Sequence, residues 1–124
     1  MQPDSSCLAG MRVLIVEDET IVAMAIEDVL LDAGCEIVGI AGTLPEALDL
    51  IDRERPDAVT LDGNLDGTLT GPIARQLREL AIRHMVVTGY VELATTDPWL
   101  ALSPVIQKPF THQGLARAAA EHFC

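Results

Sequence analysis

Val13-Leu14-Ile15-Val16-Glu17-Asp18-Glu19 sets four aliphatic residues directly against three consecutive carboxylates. An apolar run this short and this rich in β-branched residues reads as a strand buried on both faces of a parallel sheet. The abrupt change at Glu17 marks the carboxyl end of that strand, which is where open α/β sheets bind ligands. Similar runs follow at 37–41, 58–61, 85–87 and 105–106, with amphipathic stretches between them. This rhythm predicts an α/β fold, a (βα)5 parallel sheet with helices on both faces.

The intervening stretches carry helix signals. Residues 20–33 place Ile21, Ala25 and Val29 on one helical stripe with Asp28 and Asp32 opposite, and Gly34 follows as a stop. Thr43-Leu44-Pro45-Glu46 is a capping box with an early proline, opening a helix to about residue 54 that Pro56 closes. A third helix over about 72–82 follows a loop rich in Gly and Asp. A short fourth lies near 91–96, and a last one spans about 112–122 behind Thr111. Residues 1–10 read as a flexible polar tail and 11–124 as one domain.

Composition narrows the function classes. The chain has 124 residues, 49% of them apolar, enough for one aliphatic core. Nineteen acidic against eight basic side chains give a net charge of −11, which repels nucleic acid and anionic membrane surfaces. The longest apolar run, from Ile21 to Ile26, is far short of the ~18 residues of a membrane span. The first ten residues lack the basic and apolar regions of a signal peptide, so a cytoplasmic location is expected. Cys7, Cys35 and Cys124 are odd in number and form no C-x-x-C pair, and the expectation is reduced thiols with neither a disulfide framework nor a zinc site.

Chemistry-bearing residues collect at the strand ends. The first run ends in Glu17-Asp18, the third in Asp62, the fourth in Thr88-Gly89 and the fifth in Gln107-Lys108-Pro109-Phe110. If the strands are ordered 2-1-3-4-5, the first and third are neighbours at the switch point, and Glu17, Asp18 and Asp62 converge there, with Thr88 and Lys108 approaching from the other side. Each alone has a commonplace reading: Asp18 or Thr88 as a cap, and Asp62 with Gly63, Asn64, Asp66 and Gly67 as turn chemistry. Lys108 stands apart as the single lysine beside seven arginines. Co-location of an acid pair, a third acid, a hydroxyl and an amine favours a built site.

The motifs V-L-I-V-E-D-E (13–19), V-T-L-D-G-N-L (59–65), V-V-T-G-Y (86–90) and K-P-F (108–110) together resemble the receiver domain of bacterial two-component response regulators over residues 12–123. The resemblance implies a flavodoxin-like, doubly wound fold in strand order 2-1-3-4-5, with Asp62 as the phospho-accepting carboxylate. Glu17, Asp18 and Asp62, with the backbone carbonyl of Asn64, would hold one Mg²⁺ directly or through water. Such an ion would relieve the mutual repulsion of the clustered acids. The Thr88 hydroxyl and the Lys108 ammonium would each take a phosphoryl oxygen. The implied donor is a phosphohistidine on a histidine kinase or histidine phosphotransfer protein, and the output is an unidentified effector bound near the fourth helix, fifth strand and last helix. Activity would be confined to the protein's own aspartate, in a monomer or weak dimer, with Lys108–Pro109 cis.

Most receivers place an aromatic residue three positions before the lysine; here that position is Val105. Together with Thr88-Gly89-Tyr90 and a short fourth helix, this is similar to the single-domain FAT GUY group of alphaproteobacterial stress signalling, although Val86-Val87 stand where that group has Phe-Ala. The alternative is a degenerate receiver that acts as a phosphorylation-independent interaction module. Other readings fail on single positions. In N-L-D-G-T-L-T (64–70) a haloacid-dehalogenase nucleophile would have to be Asn64. A calcium loop starting at Asp62 would put Ile73 where a bidentate glutamate belongs. His84, His112 and His122 read as surface or capping residues.

Overall fold

The computed structural model describes residues 5–124. Its main sheet contains β1 (Arg12–Val16), β2 (Glu36–Ala41), β3 (Ala58–Leu61), β6 (Arg83–Thr88) and β7 (Val105–Gln107), in the order β2-β1-β3-β6-β7, every pair parallel. The remaining strands, β4 (Asn64–Leu65) and β5 (Thr68–Leu69), form a separate hairpin. Setting that hairpin aside, the order is the expected 2-1-3-4-5.

Alternation along β1 explains why the sheet is covered twice. Val13 and Ile15 join Ala58, Met85 and Val87 under α1 (Thr20–Asp32) and α5 (His112–Phe123). Leu14 and Val16 join Val59, Leu61 and Val86 under α2 (Leu44–Glu54) and α3 (Gly71–Glu79). Successive side chains on a strand point to opposite faces, so a continuous aliphatic run supplies two cores. Thr43 caps α2 by accepting from Glu46 N, and Glu46 Oε1 accepts in turn from Gly42 N at 2.8 Å. Thr111 caps α5 by accepting from Gly114 N. None of the helices among the described residues is long and apolar enough to cross a membrane.

The structure corrects several expectations. In α1 the buried residues are Ala23, Ile26, Val29 and Leu30, whereas Ile21 is 83% exposed and Ala25 is exposed. The unbroken apolar run 21–26 offers two possible inner faces, and packing against α5 and β2 selects between them. The helix expected near 72–82 ends at Glu79, with Ala81 in the left-handed region at φ 57°. The fourth helix, α4, is only Val91–Ala94, and a 3-10 turn at Leu100–Leu102 follows it. His84 is buried, its Nε2 2.8 Å from Ser103 Oγ.

The tail read as flexible through residue 10 contains a 3-10 turn, Ser5–Leu8, that seats Leu8 in the α1–α5 core; residues 1–4 of that tail lie outside the described residues. The thiols expected to be reduced are also different, because Cys7 and Cys124 are joined in a disulfide. Both lie at the edge where the strands begin, so the fold unites residues that sequence spacing keeps 117 positions apart.

Candidate functional site

β1 and β3 are adjacent, with Val16 in register with Leu61, so the residues that follow them emerge side by side. Asp62 N donates to Val16 O at 2.9 Å, which fixes the start of one loop against the end of β1. Glu17 N donates to Ala41 O at 2.9 Å and ties the acidic run to β2 as well. One carboxylate oxygen each from Glu17, Asp18 and Asp62 can be chosen so that all lie within 4.8 Å of one another. Glu17 and Asp62 are buried, and Asp18 is exposed at the rim.

Lys108 reaches this cluster from the end of β7. Its Nζ lies 2.6 Å from Glu17 Oε1, 3.1 Å from Asp62 Oδ2 and 3.9 Å from Glu19 Oε1. The Lys108–Pro109 peptide is cis. Asp62 Oδ1 accepts from Asn64 N at 3.1 Å, so each oxygen of this carboxylate has a separate donor. Asn64 lines the same cleft as Asp18, Asp62 and Lys108.

Burial lifts the Glu17 carboxyl to about 7, against the Lys108 and Glu19 N–H donors and with added repulsion from Asp62. The Lys108 ammonium suffers the same desolvation, but Glu17 and Asp62 more than offset it and hold its pKa above the usual value. The buried Glu17 Oε1 meets only the Lys108 ammonium. A hard all-oxygen donor set of this kind, short of positive charge, fits Mg²⁺ and not a thiophilic metal.

Thr88 is fully buried at the end of β6. Its hydroxyl accepts from Tyr90 N at 3.1 Å and faces Gly63, where a Cβ would stand 3.5 Å from Oγ1. The residues singled out at the strand ends are therefore gathered at one edge, with Thr88 beside the loop of Asp62 and not bonded to its carboxylate.

Two supports go beyond the sequence reading, which took Asp66 and Gly67 as turn residues but placed no hairpin there and gave Thr70 no role. Thr70, fully buried, donates from Oγ1 to Asp62 O at 2.7 Å and anchors the far end of the Asp62 loop. The turn between β4 and β5 uses Asp66 at φ 49° and Gly67 at φ 90°, the pairing of two left-handed residues that tight hairpins require. The Asp66-Gly67 dipeptide between Leu65 and Leu69 is a signal that could have identified the hairpin; Thr70 offers none.

Comparison with known proteins agrees with this geometry. A family model described as the response regulator receiver domain matches residues 13–120. Sporulation initiation phosphotransferase F of Bacillus subtilis is 31% identical over 84 residues, 66% of this chain and 67% of that protein. The transcriptional regulatory protein PdtaR of Mycobacterium tuberculosis is 41% identical over 59 residues, 48% of this chain and 29% of that protein. The solution structure of SdrG from Sphingomonas melonis Fr1 aligns with a TM-score of 0.76 and 36% identity, covering 90% of this chain and 95% of that one. The response regulator PhyR from Brucella abortus gives 0.80 and 29%, covering 93% of this chain and 48% of that one. The chain thus spans about half the length of PhyR and under a third of PdtaR. The matched residues 13–120 take in every strand end described above, and on that match the chain belongs to the response regulator receiver domain family.

Proposed function

We propose that the domain is a phospho-accepting switch of a two-component phosphorelay, with Asp62 as the acceptor. The observation that carries this reading is the setting of the Asp62 carboxylate: buried, within reach of the Glu17 and Asp18 carboxylates, and contacted by Lys108 at 3.1 Å. An Asp62 oxygen attacks the phosphorus of a phosphohistidine donor in line. The P–N bond breaks with its electron pair retained by the imidazole, and an acyl phosphate forms that water later cleaves. In this reading Lys108 holds one phosphoryl oxygen, and the Thr88 hydroxyl takes another by turning from the Tyr90 amide, to which it is bonded at 3.1 Å. Glu17, Asp18, Asp62 and the Asn64 carbonyl would hold one Mg²⁺, which supplies the positive charge that a dianionic phosphoryl group needs beside three acids.

The donor is a histidine kinase or histidine phosphotransfer protein in the cytoplasm. Beside the acceptor lies an apolar groove formed by Ile21, Val22, Ala25, Pro109 and Phe110, suited to an apolar helix face that carries the donor imidazole. Output follows from the link between Thr88 and Tyr90: when the hydroxyl leaves the Tyr90 amide, the exposed segment around Tyr90 and Leu93 changes the face it offers to an effector. Chemistry is confined to the protein's own aspartate, so it is not an enzyme acting on separate substrates.

Incubation with Mg²⁺ and acetyl phosphate tests the reading by intact mass. The expected result is a gain of one phosphoryl mass in the wild type and none in Asp62→Asn. Equal gain in both would reject Asp62, and no gain in either would favour the phosphorylation-independent interaction module.

A further inference from the structure

We propose that Cys7 and Cys124 form a redox-reversible clasp, a covalent thiol site that governs how firmly the Ser5–Leu8 turn and the last turn of α5 are held to the domain. The inference does not depend on the reading of Asp62. It rests first on placement: the two cysteines, 117 positions apart, stand with Cα atoms 6.2 Å apart, a separation that a disulfide spans without moving the backbone.

Accessibility is the second observation. Both residues of the pair are exposed, so a small thiol or disulfide can reach either sulfur. The third cysteine, Cys35, is buried, and burial pushes its thiol pKa up. The reactive thiolate is therefore disfavoured there, and the exposed pair can exchange without scrambling to Cys35.

The third observation is what the bond joins. Ahead of β1, the described turn is held by the Leu8 side chain, by Met11 N donating to Leu8 O at 3.0 Å and by Gly10 N donating to Gly34 O at 2.8 Å. At the other end Phe123 is buried in the same cluster, and Arg83 Nη1 donates to the Phe123 and Cys124 carbonyls at 2.9 and 2.6 Å. A short turn that, among the described residues, is held by one buried side chain and these backbone bonds belongs to the low-stability end of a domain's local unfolding equilibria. Closing the bond fastens it covalently to α5, and opening it leaves the Leu8 side chain and these backbone hydrogen bonds to hold the turn.

The chemistry balances with a low-molecular-weight disulfide as oxidant. The thiolate of one cysteine attacks a sulfur of oxidised glutathione and expels one glutathione thiolate, giving a mixed disulfide. The second cysteine attacks that mixed disulfide and expels the other glutathione. Two electrons and two protons leave the pair, and one glutathione disulfide becomes two glutathione thiols. The reverse sequence opens the clasp.

The test uses the full chain equilibrated in glutathione buffers from fully reduced to fully oxidised. Free thiols are trapped by alkylation of the native protein and counted by intact mass, and amide hydrogen exchange is followed in parallel. The expected result is one two-electron transition, with two alkylated cysteines in the reduced form and none in the oxidised form. Exchange over residues 6–10 and 119–123 should become at least tenfold faster on reduction while residues 58–62 are unchanged. Cys7→Ser, and separately Cys124→Ser, should show the fast exchange in every buffer. Full alkylation of both thiols in excess oxidised glutathione would overturn the proposal, as would a bond whose opening leaves exchange in both segments unaltered.

Discussion

Lys108 Nζ lies 2.6 Å from Glu17 Oε1, closer than it lies to any other carboxylate oxygen of the site. The ammonium thus supplies the nearest positive charge to the acids among which a divalent cation would sit. Two cations drawn to one cluster repel each other, so Lys108 and a bound Mg²⁺ would compete. Lys108→Met should tighten Mg²⁺ binding by roughly 3–10-fold, about 0.7–1.4 kcal/mol, a fraction of the few kcal/mol that sets the upper bound for unit charges a few ångströms apart. Asp18→Asn should loosen it by at least about tenfold, as loss of an anionic ligand does. Calorimetric titration reads both, and a weaker site in Lys108→Met would contradict the competition.

The raised Glu17 carboxyl gives a pH signature. It titrates near 7 in the folded chain against an ordinary value of 4.5, so between those values the folded state keeps a proton that the unfolded state releases. Its contribution to stability is full below about 4.5 and fades as pH rises to about 7. Burial lowers the pKa of His84 and acts with the opposite sign, a contribution lost as pH falls below its ordinary 6.5. Subtracting the profile of Glu17→Gln from that of the wild type removes the histidine. In metal-free buffer the difference should decline from about pH 4.5 to 7, and Mg²⁺ affinity should climb over the same window as the competing proton leaves. A flat difference would remove the assignment.

Gly71 opens α3 with the Asp97 carboxylate packed where a side chain would begin. That carboxylate is not free to yield, because its Oδ1 accepts from Trp99 N at 2.8 Å and Leu100 N at 3.2 Å. Gly71→Ala should therefore cost about 1–3 kcal/mol, the range of an overpacked site. In an Asp97→Ala background most of that penalty should vanish, since the obstacle is gone. Additive losses in urea titrations of the single and double variants would show that Asp97 is not the obstacle.

Thr88 is expected to separate acceptance from output. Thr88→Ala keeps the Asp62 carboxylate and its Lys108 contact, so one phosphoryl equivalent should still be reached. The amide of Tyr90, which loses its 3.1 Å acceptor in the variant, should then give the same NMR shift before and after phosphorylation. A wild-type-sized shift in the variant would place the switch elsewhere.

Much of the fold was legible because β1 states it twice. Four aliphatic residues in a row demand burial on both faces, and the change to Glu17-Asp18 shows where the strand stops. The same rule located Asp62 and Thr88, which directly follow apolar runs, and Lys108, which follows one after Gln107. Helix faces were harder: Ile21 to Ile26 is apolar all the way round, and only contact with α5 and β2 decides that Ile26 turns in while Ile21 turns out. Long-range partners were not legible at all. Nothing local in Cys7 or Cys124 announces the other, and His84 reads as an ordinary surface residue until β6 and the segment before β7 bring it against Ser103. Thr70 is equally silent, because its bond to Asp62 O exists only once the β4–β5 hairpin has folded back.

The most direct measurement traps the acyl phosphate itself. Protein treated with Mg²⁺ and acetyl phosphate is reduced with borohydride, which converts a phosphorylated aspartate to homoserine, and the digest is sequenced by mass spectrometry. The account predicts homoserine at position 62 and at no other carboxylate. Homoserine at position 18 or 66, or none anywhere in a folded protein shown to bind Mg²⁺, would contradict it.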